Sequence, residues 1–332
     1  MKSREHQIQE EEQKLKVLIA DPIAYNGIDL LRKEGVDADE KTGLKREELL
    51  DVIGDYDGLV VRSKTKVTAE IIEAGKKLKV ILRAGSGIDN VDVEEATKKN
   101  IVVMNVPGGN TVSAAEHAIA MLFALARNIP QADASMKDGK WEKKKFSGVE
   151  INEKVLGIVG LGKIGREVAL RARALGMDVI AFDPIVPAEE MKKMGIRPVA
   201  LEELIKTSDY ITIHSPLNKD TKHVISEKEF SMMKPTARLV NCARGGIIDE
   251  NALYHALRDG KIAGAALDVY ESEPPEHGPL MKLENIILTP HLGASTREAQ
   301  IRVAVEGAGQ IVDLLKKSVA RNAINVPPVK LT

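Results

Sequence analysis

At 332 residues the chain is longer than a single hydrophobic core usually sustains, so two domains are expected. Hydrophobic residues at 43% and charged residues at 29% make an ordinary water-soluble balance, with no apolar run near the ~20 residues of a membrane helix. The 48 basic and 49 acidic side chains leave a formal net charge of −1, which excludes a global field for nucleic acid or anionic lipid. Cys242 is the only cysteine, so no intramolecular disulfide can form, and no signal-like stretch opens the chain; the cytoplasm is the expected location.

Residues 1–14, MKSREHQIQEEEQK, hold one aliphatic side chain among charges and amides and read as a disordered extension. From Lys16, β-like runs alternate with helical segments: KVLIAD, 26 to 34, DGLVVRS, 68 to 76, KVILRAGSG, 92 to 99, IVVMNVPG. That alternation predicts right-handed crossovers and a parallel sheet, whose ligands sit at the carboxyl ends of the strands. Arg62 and Ser63 follow GLVV and Arg83 follows KVIL, which puts two guanidinium groups on that edge. NTVSAAEHAIAMLFALAR, 110 to 127, predicts a helix apolar nearly all round, with Ser113 and Glu116 at capping-box spacing. Such a helix is buried between domains or subunits, and its His117 reads as a packed core residue. The following MKDGKWEKKKFSG holds the only tryptophan and reads as solvated charge.

A second alternation runs from Lys154 to about Leu288: KVLGIVG, helix 163 to 175, DVIAFD, a helix near 188 to 194, YITIHSPL, ARLVNCARGG, helix 249 to 258, AGAALDV, NIILTPHLG. This is a complete doubly wound α/β domain. A helix at 296 to 316 closes the chain before NAINVPPVKLT, and periodicity does not settle where it packs.

GLGKIG sets Gly160, Gly162 and Gly165, with Lys163 and Ile164 between the last two, in G-x-G-x-x-G register between a strand and a helix. Glycines there permit a tight turn and close approach of backbone to a pyrophosphate at the helix N-terminus. Asp183 ends the next strand, where a carboxylate accepts from ribose hydroxyls and repels a 2′-phosphate. No arginine follows in PIVP to offset that repulsion, so NAD is predicted over NADP.

Hydride transfer to a nicotinamide needs a base for the alcohol proton and a cation for the substrate oxygens. Arg244 closes LVNCAR, Glu273 lies in ESEPP after GAALDVY, and His291 follows NIILTP; all three leave strands on the edge of the glycine loop. Glu271 shares the loop of Glu273, and His214 also ends a strand, so spacing leaves both as alternatives.

RAGSGIDNVD, GLGKIGREVA, NCARGGIIDE, GAALDVYESEPP and TPHLGAST together resemble the D-isomer-specific 2-hydroxyacid dehydrogenases, from about Lys16 to the tail. The resemblance implies two doubly wound parallel-sheet domains: an NAD-binding Rossmann domain, 107–295, inserted into a flavodoxin-like substrate domain, 1–106 and 296–332, with substrate in the cleft. It implies Arg244 as the group holding the α-carboxylate and carbonyl oxygen, His291 as acid/base, and Glu273 as its partner on the other ring nitrogen. His214, Ser215, Pro216, Cys242, Ala243, Asp268, Gly293 and Ala294 are placed around the cofactor, Cys242 then being no nucleophile. Arg62, Ser63, Arg83, Gly85, Ser86 and Gly87 are placed on the substrate side, where a 3-phosphate needs cations that a simple hydroxy acid does not. The implied activity is oxidation of D-3-phosphoglycerate to 3-phosphohydroxypyruvate in serine biosynthesis, by a homodimer or homotetramer with the helix at 110 to 127 in the interface and no metal. Glyoxylate or hydroxypyruvate reduction is the alternative within the family, and a non-catalytic NAD-sensing corepressor the alternative outside catalysis. Longer members carry a C-terminal serine-binding domain; with the chain ending at Thr332, control through one is not expected.

Overall fold

A computed structural model describes residues 14–325, so the reading of the N-terminal extension, Lys14 apart, and the tail beyond Asn325 lie outside the described residues. The chain divides into two compact units, Met1–Asn110 with Arg297–Thr332, and Thr111–Thr296.

In the first unit, β1 (Lys16–Ile19), β2 (Asp37–Glu40), β3 (Gly58–Val61), β4 (Val80–Arg83) and β5 (Val102–Asn105) form a parallel sheet in the order β2-β1-β3-β4-β5. This is the flavodoxin-like order, with its switch point between β1 and β3. The apolar runs are buried on both faces, as parallel strands between helical layers require. Val17, Val60, Leu82 and Met104 pack on one side, while Leu18, Leu59, Ile81 and Val103 pack on the other. The helix Arg297–Lys317 belongs to this unit, because its Ile311 and Val312 join the first of these clusters.

Two features of this sheet have no apolar signature. The edge strand β2 is DADE, held by pairing with β1 from Lys16↔Asp37 to Ile19↔Glu40. At the opposite edge, Asn325 returns to cover β5: its Oδ1 accepts from Val103 N at 2.8 Å, and its Nδ2 donates to Ile101 O at 2.9 Å and Thr97 Oγ1 at 2.8 Å. Truncation by Asn325→Ala leaves a buried N–H and carbonyl without partners and is expected to cost about 2 kcal/mol in urea unfolding, with Asn325→Asp recovering only the bond from Val103.

The second unit holds β6 (Val155–Val159), β7 (Asp178–Phe182), β8 (Arg197–Pro198), β9 (Tyr210–Ile213), β10 (Arg238–Asn241), β11 (Gly264–Leu267) and β12 (Ile286–Leu288), all parallel in the order β12-β11-β10-β9-β6-β7-β8. The order reverses between β6 and β9, and that is where a doubly wound sheet binds its ligand. The helix Thr111–Arg127 packs beneath, contributing Ala115, Ala118, Leu122 and Leu125 to the cluster that contains Leu156, Val240 and Ala266. Its start differs from the capping-box prediction. Ser113 lies inside the first turn, buried, and its hydroxyl donates to Thr296 Oγ1 at 3.0 Å rather than capping the helix. Ser113 is not at the cap position, because Thr111 already has helical backbone.

Candidate active site

The turn after β6 is built by glycine. Gly160 has φ +93°, and a Cβ there would lie 2.5 Å from Ser215 Oγ, so the chain leaving β6 passes directly against the chain leaving β9. A Cβ at Gly165 would overlap Gly160 O, which brings the helix Lys163–Ala174 hard against the strand end. Gly162 caps that helix and is exposed, with open space where its side chain would be; Lys163 is exposed and Ile164 half-buried. An accessible helix N-terminus with backbone free to approach is the cradle that a dinucleotide pyrophosphate fits.

Asp183 secures this turn as well as facing it. Its Oδ2 accepts from Leu161 N at 2.6 Å, and its Oδ1 accepts from Ile185 N at 2.8 Å and Val186 N at 3.0 Å. Burial pushes the carboxyl up, but these three amides and the charge of Arg166 outweigh it and hold it below its ordinary value. The nearby cation is therefore Arg166, from the helix and not from the residues after Asp183, and its Nη1 is engaged by Glu190 at 2.6 Å.

At the other strand ends, Asn241 folds the turn that presents Arg244. The buried Asn241 amide donates to Arg244 O at 2.9 Å and accepts from Ala243 N at 3.0 Å. Arg244 Nη1 donates to Ala243 O at 2.7 Å. Gly245 is required next, since a Cβ there would collide with Tyr270 O. The two glutamates meet different partners. Glu273 Oε2 lies 2.7 Å from His291 Nδ1, and Glu273 Oε1 accepts from Tyr270 N at 3.2 Å. Glu271 is turned away, accepting from Glu250 N at 3.1 Å with His223 Nε2 also at 3.1 Å. Burial raises the Glu273 carboxyl, but the hydrogen bond and charge of His291 outweigh it and bring it below the usual range. His291 sits in left-handed backbone at φ +55°, with its N–H on Thr289 O at 3.0 Å.

His214, the competing histidine, has no carboxylate partner among the described residues. Its ring nitrogen Nε2 pairs with Thr212 Oγ1 at 2.9 Å, and burial pushes it down to about 4. An unfolded chain takes up this proton near pH 6.5 and the folded one only near 4, so stability is present above pH 6.5 and falls as pH drops through that window. Thermal unfolding is expected to show a loss of roughly 3 kcal/mol at most between these limits, reduced in His214→Gln.

Cys242 is half-buried, and burial, with the Asp268 charge, pushes its thiol up, which disfavours the thiolate that nucleophilic chemistry needs. Ser215 Oγ donates to Val159 O at 3.2 Å, Pro216 is exposed, and Ala243 and Ala294 are half-buried. Asp268, expected beside the cofactor, is wholly buried and accepts from Thr289 Oγ1 at 2.5 Å, Leu292 N at 2.7 Å and Gly293 N at 2.8 Å. It therefore anchors the turn around His291. Its partner His117 was not singled out for chemistry by the sequence; a carboxylate ending the apolar run GAAL was the available signal.

In the first unit, Arg62 and Ser63 follow β3 at that sheet's switch point. Asp21, which follows β1, takes Arg62 N at 2.6 Å and Thr65 N at 3.1 Å, and Asn90 Nδ2 donates to Arg62 O at 2.6 Å. The half-buried Arg62 guanidinium is lowered by burial, with the Asp21 charge opposing. Arg83 ends β4, and a Cβ on Gly85 would overlap its Nη1, so the guanidinium lies across that glycine. Ser86 Oγ donates to Asn110 Oδ1 at 2.6 Å, its carbonyl accepts from Asn105 Nδ2 at 2.6 Å, and Gly87 is half-buried. Asp21, Asn90 and Asn105 were missed because their bonds are to distant backbone.

Residues 119–293 match the family model of the D-isomer specific 2-hydroxyacid dehydrogenase NAD binding domain. The chain is 51% identical over 317 residues to the D-3-phosphoglycerate dehydrogenase of Archaeoglobus fulgidus, covering 95% of this chain and 60% of that protein. Among solved structures it is similar to a glyoxylate reductase from Paecilomyes thermophila, with TM-score 0.85 and 31% identity over 94% of this chain and 98% of that one. It is also similar to the D-lactate dehydrogenase from Aquifex aeolicus complexed with NAD and lactic acid, with TM-score 0.82 and 27% identity over 94% and 99% of the two chains. The chain spans about 56–60% of the length of the curated relatives it matches. Among the described residues no helix is long and apolar enough to cross a membrane.

Proposed function

The chain belongs to the D-isomer specific 2-hydroxyacid dehydrogenase family, and on that premise we propose that it oxidises D-3-phosphoglycerate to 3-phosphohydroxypyruvate with NAD, in serine biosynthesis, in the cytoplasm and as a homo-oligomer. The observation that carries the reading is the Glu273 carboxylate 2.7 Å from His291 Nδ1, on the same sheet edge as the glycine turn. Bound there, the nicotinamide supplies a hydride acceptor. His291 Nε2 takes the proton of the 2-hydroxyl as the hydride leaves C2, and returns it in reduction. Glu273 holds the ring through Nδ1, so Nε2 is the nitrogen offered to substrate and the imidazolium has a counter-charge. Arg244 receives the α-carboxylate and the developing carbonyl oxygen with its paired donors.

The glycine turn holds the pyrophosphate and Asp183 the ribose hydroxyls. A carboxylate kept ionised beside a cation already engaged by Glu190 supports NAD over NADP. The lone cysteine supports a cytoplasmic site, and the apolar helix Thr111–Arg127, which leaves Val112 and Phe123 exposed, supports self-association.

Arg62 and Arg83 are assigned to the 3-phosphate. The test is NADH formation at alkaline pH with D-3-phosphoglycerate beside D-glycerate, D-lactate and a blank. Wild type is expected to use the phosphorylated acid, and Arg62→Ala with Arg83→Ala to raise its KM by roughly a hundredfold. Equal use of D-glycerate, with an unchanged KM in the double variant, sinks the phosphate assignment and makes the chain a general glyoxylate or hydroxypyruvate reductase. Turnover of none, with NAD bound, moves it to the corepressor class.

A further inference from the structure

His291 occupies left-handed backbone, and something must hold it there. The turn is tied on both sides to one carboxylate: Thr289 Oγ1 donates to Asp268 Oδ1 at 2.5 Å before His291, and Leu292 N and Gly293 N donate to Asp268 at 2.7 and 2.8 Å after it. Asp268 has no solvent exposure. The charged and titratable groups that bear on it are His117 from the helix Thr111–Arg127, Cys242 after β10, and Tyr270 and Glu273 after β11; of these, His117 brings a ring nitrogen to 3.2 Å from the Asp268 carboxylate.

The tautomer of His117 follows from its neighbours. Nε2 lies 3.2 Å from Asp268 Oδ1 and 3.2 Å from Thr289 Oγ1. The Thr289 hydrogen points to Asp268 and the carboxylate only accepts, so both neighbours offer lone pairs to Nε2, which must carry a hydrogen. Burial pushes the Asp268 carboxyl up, and the bonds from His117, Thr289, Leu292 and Gly293 bring it below its ordinary value.

We propose that His117 is a positioning residue for the acid/base: its Nε2–H fixes the Asp268 carboxylate, and that carboxylate fixes the left-handed turn that aims His291 at the substrate. The helix Thr111–Arg127 is thereby linked to the chemistry through one side chain. This deepens the function proposed above and rests on His291 being its acid/base.

The test compares His117→Gln with His117→Met, side chains of similar volume of which only glutamine has an N–H to donate. The Nδ1–H resonance of His291, assigned by its loss in His291→Asn, is expected to be kept in the glutamine variant and to shift or broaden in the methionine variant. In steady-state oxidation the methionine variant is expected to lose roughly tenfold in kcat with KM for NAD within about twofold, and the glutamine variant to recover most of it. Indistinguishable variants, or a His291 resonance unmoved in the methionine variant, overturn the proposal. The resonance is read without substrate, so it decides the positioning role even if D-3-phosphoglycerate is not turned over and the assigned function fails.

Discussion

His291→Asn is expected to lower kcat for D-3-phosphoglycerate oxidation by roughly a thousandfold and to abolish its pH dependence, while NAD still binds. The magnitude is that of removing a general acid/base. Asparagine is the informative replacement for two reasons. It tolerates the left-handed backbone that His291 occupies at φ +55°, so the turn is not forced open. Its amide can also still donate to Glu273, which preserves the pair and removes only the proton acceptor at Nε2. Pre-steady-state NADH formation across pH checks this. A profile unchanged from wild type would transfer the role elsewhere, although His214, half-buried and pushed down to about 4, is a poor recipient at physiological pH. Glu273→Gln should be milder than His291→Asn, because it removes the counter-charge and leaves the base.

How far the sequence could be read depended on the range of the interaction. The central strands were legible because a strand buried on both faces must be an apolar run, and GLVV, VIL and YITI are such runs. DADE as an edge strand was not, since only its pairing with β1 defines it. The glycine turn was legible because steric demand at Gly160 and Gly165 leaves one residue type. The choice between Glu271 and Glu273 was not: both are carboxylates in one loop, and only the fold shows that one meets His291 and the other His223. Ser113 misled for a related reason. It has the spacing of a cap, but the helix already begins at Thr111, and the Ser113 hydroxyl donates to the distant Thr296. The contact between Asp268 and His117 stayed hidden because they meet across more than a hundred residues of chain.

Arg244→Ala should be the other large loss, about 4 kcal/mol in kcat/KM, with the Kd for NAD nearly unchanged. The guanidinium is asked for two things at once: to bind the α-carboxylate in the ground state and to meet negative charge on the carbonyl oxygen as hydride moves. The first loss appears in KM and the second in kcat, so both should move. Arg244→Lys separates them. A lysine restores one positive charge but not the planar pair of donors, so it should recover part of KM and little of kcat. The turn itself should survive, because Asn241 holds it through the Arg244 carbonyl and the Ala243 N–H, neither of which the substitution removes. That gives the control: isothermal titration with NAD on Arg244→Ala. Intact binding places the loss in the chemistry of the guanidinium. Lost binding would mean that Arg244 supports the cofactor site, and the assignment of the substrate carboxylate to it would fall.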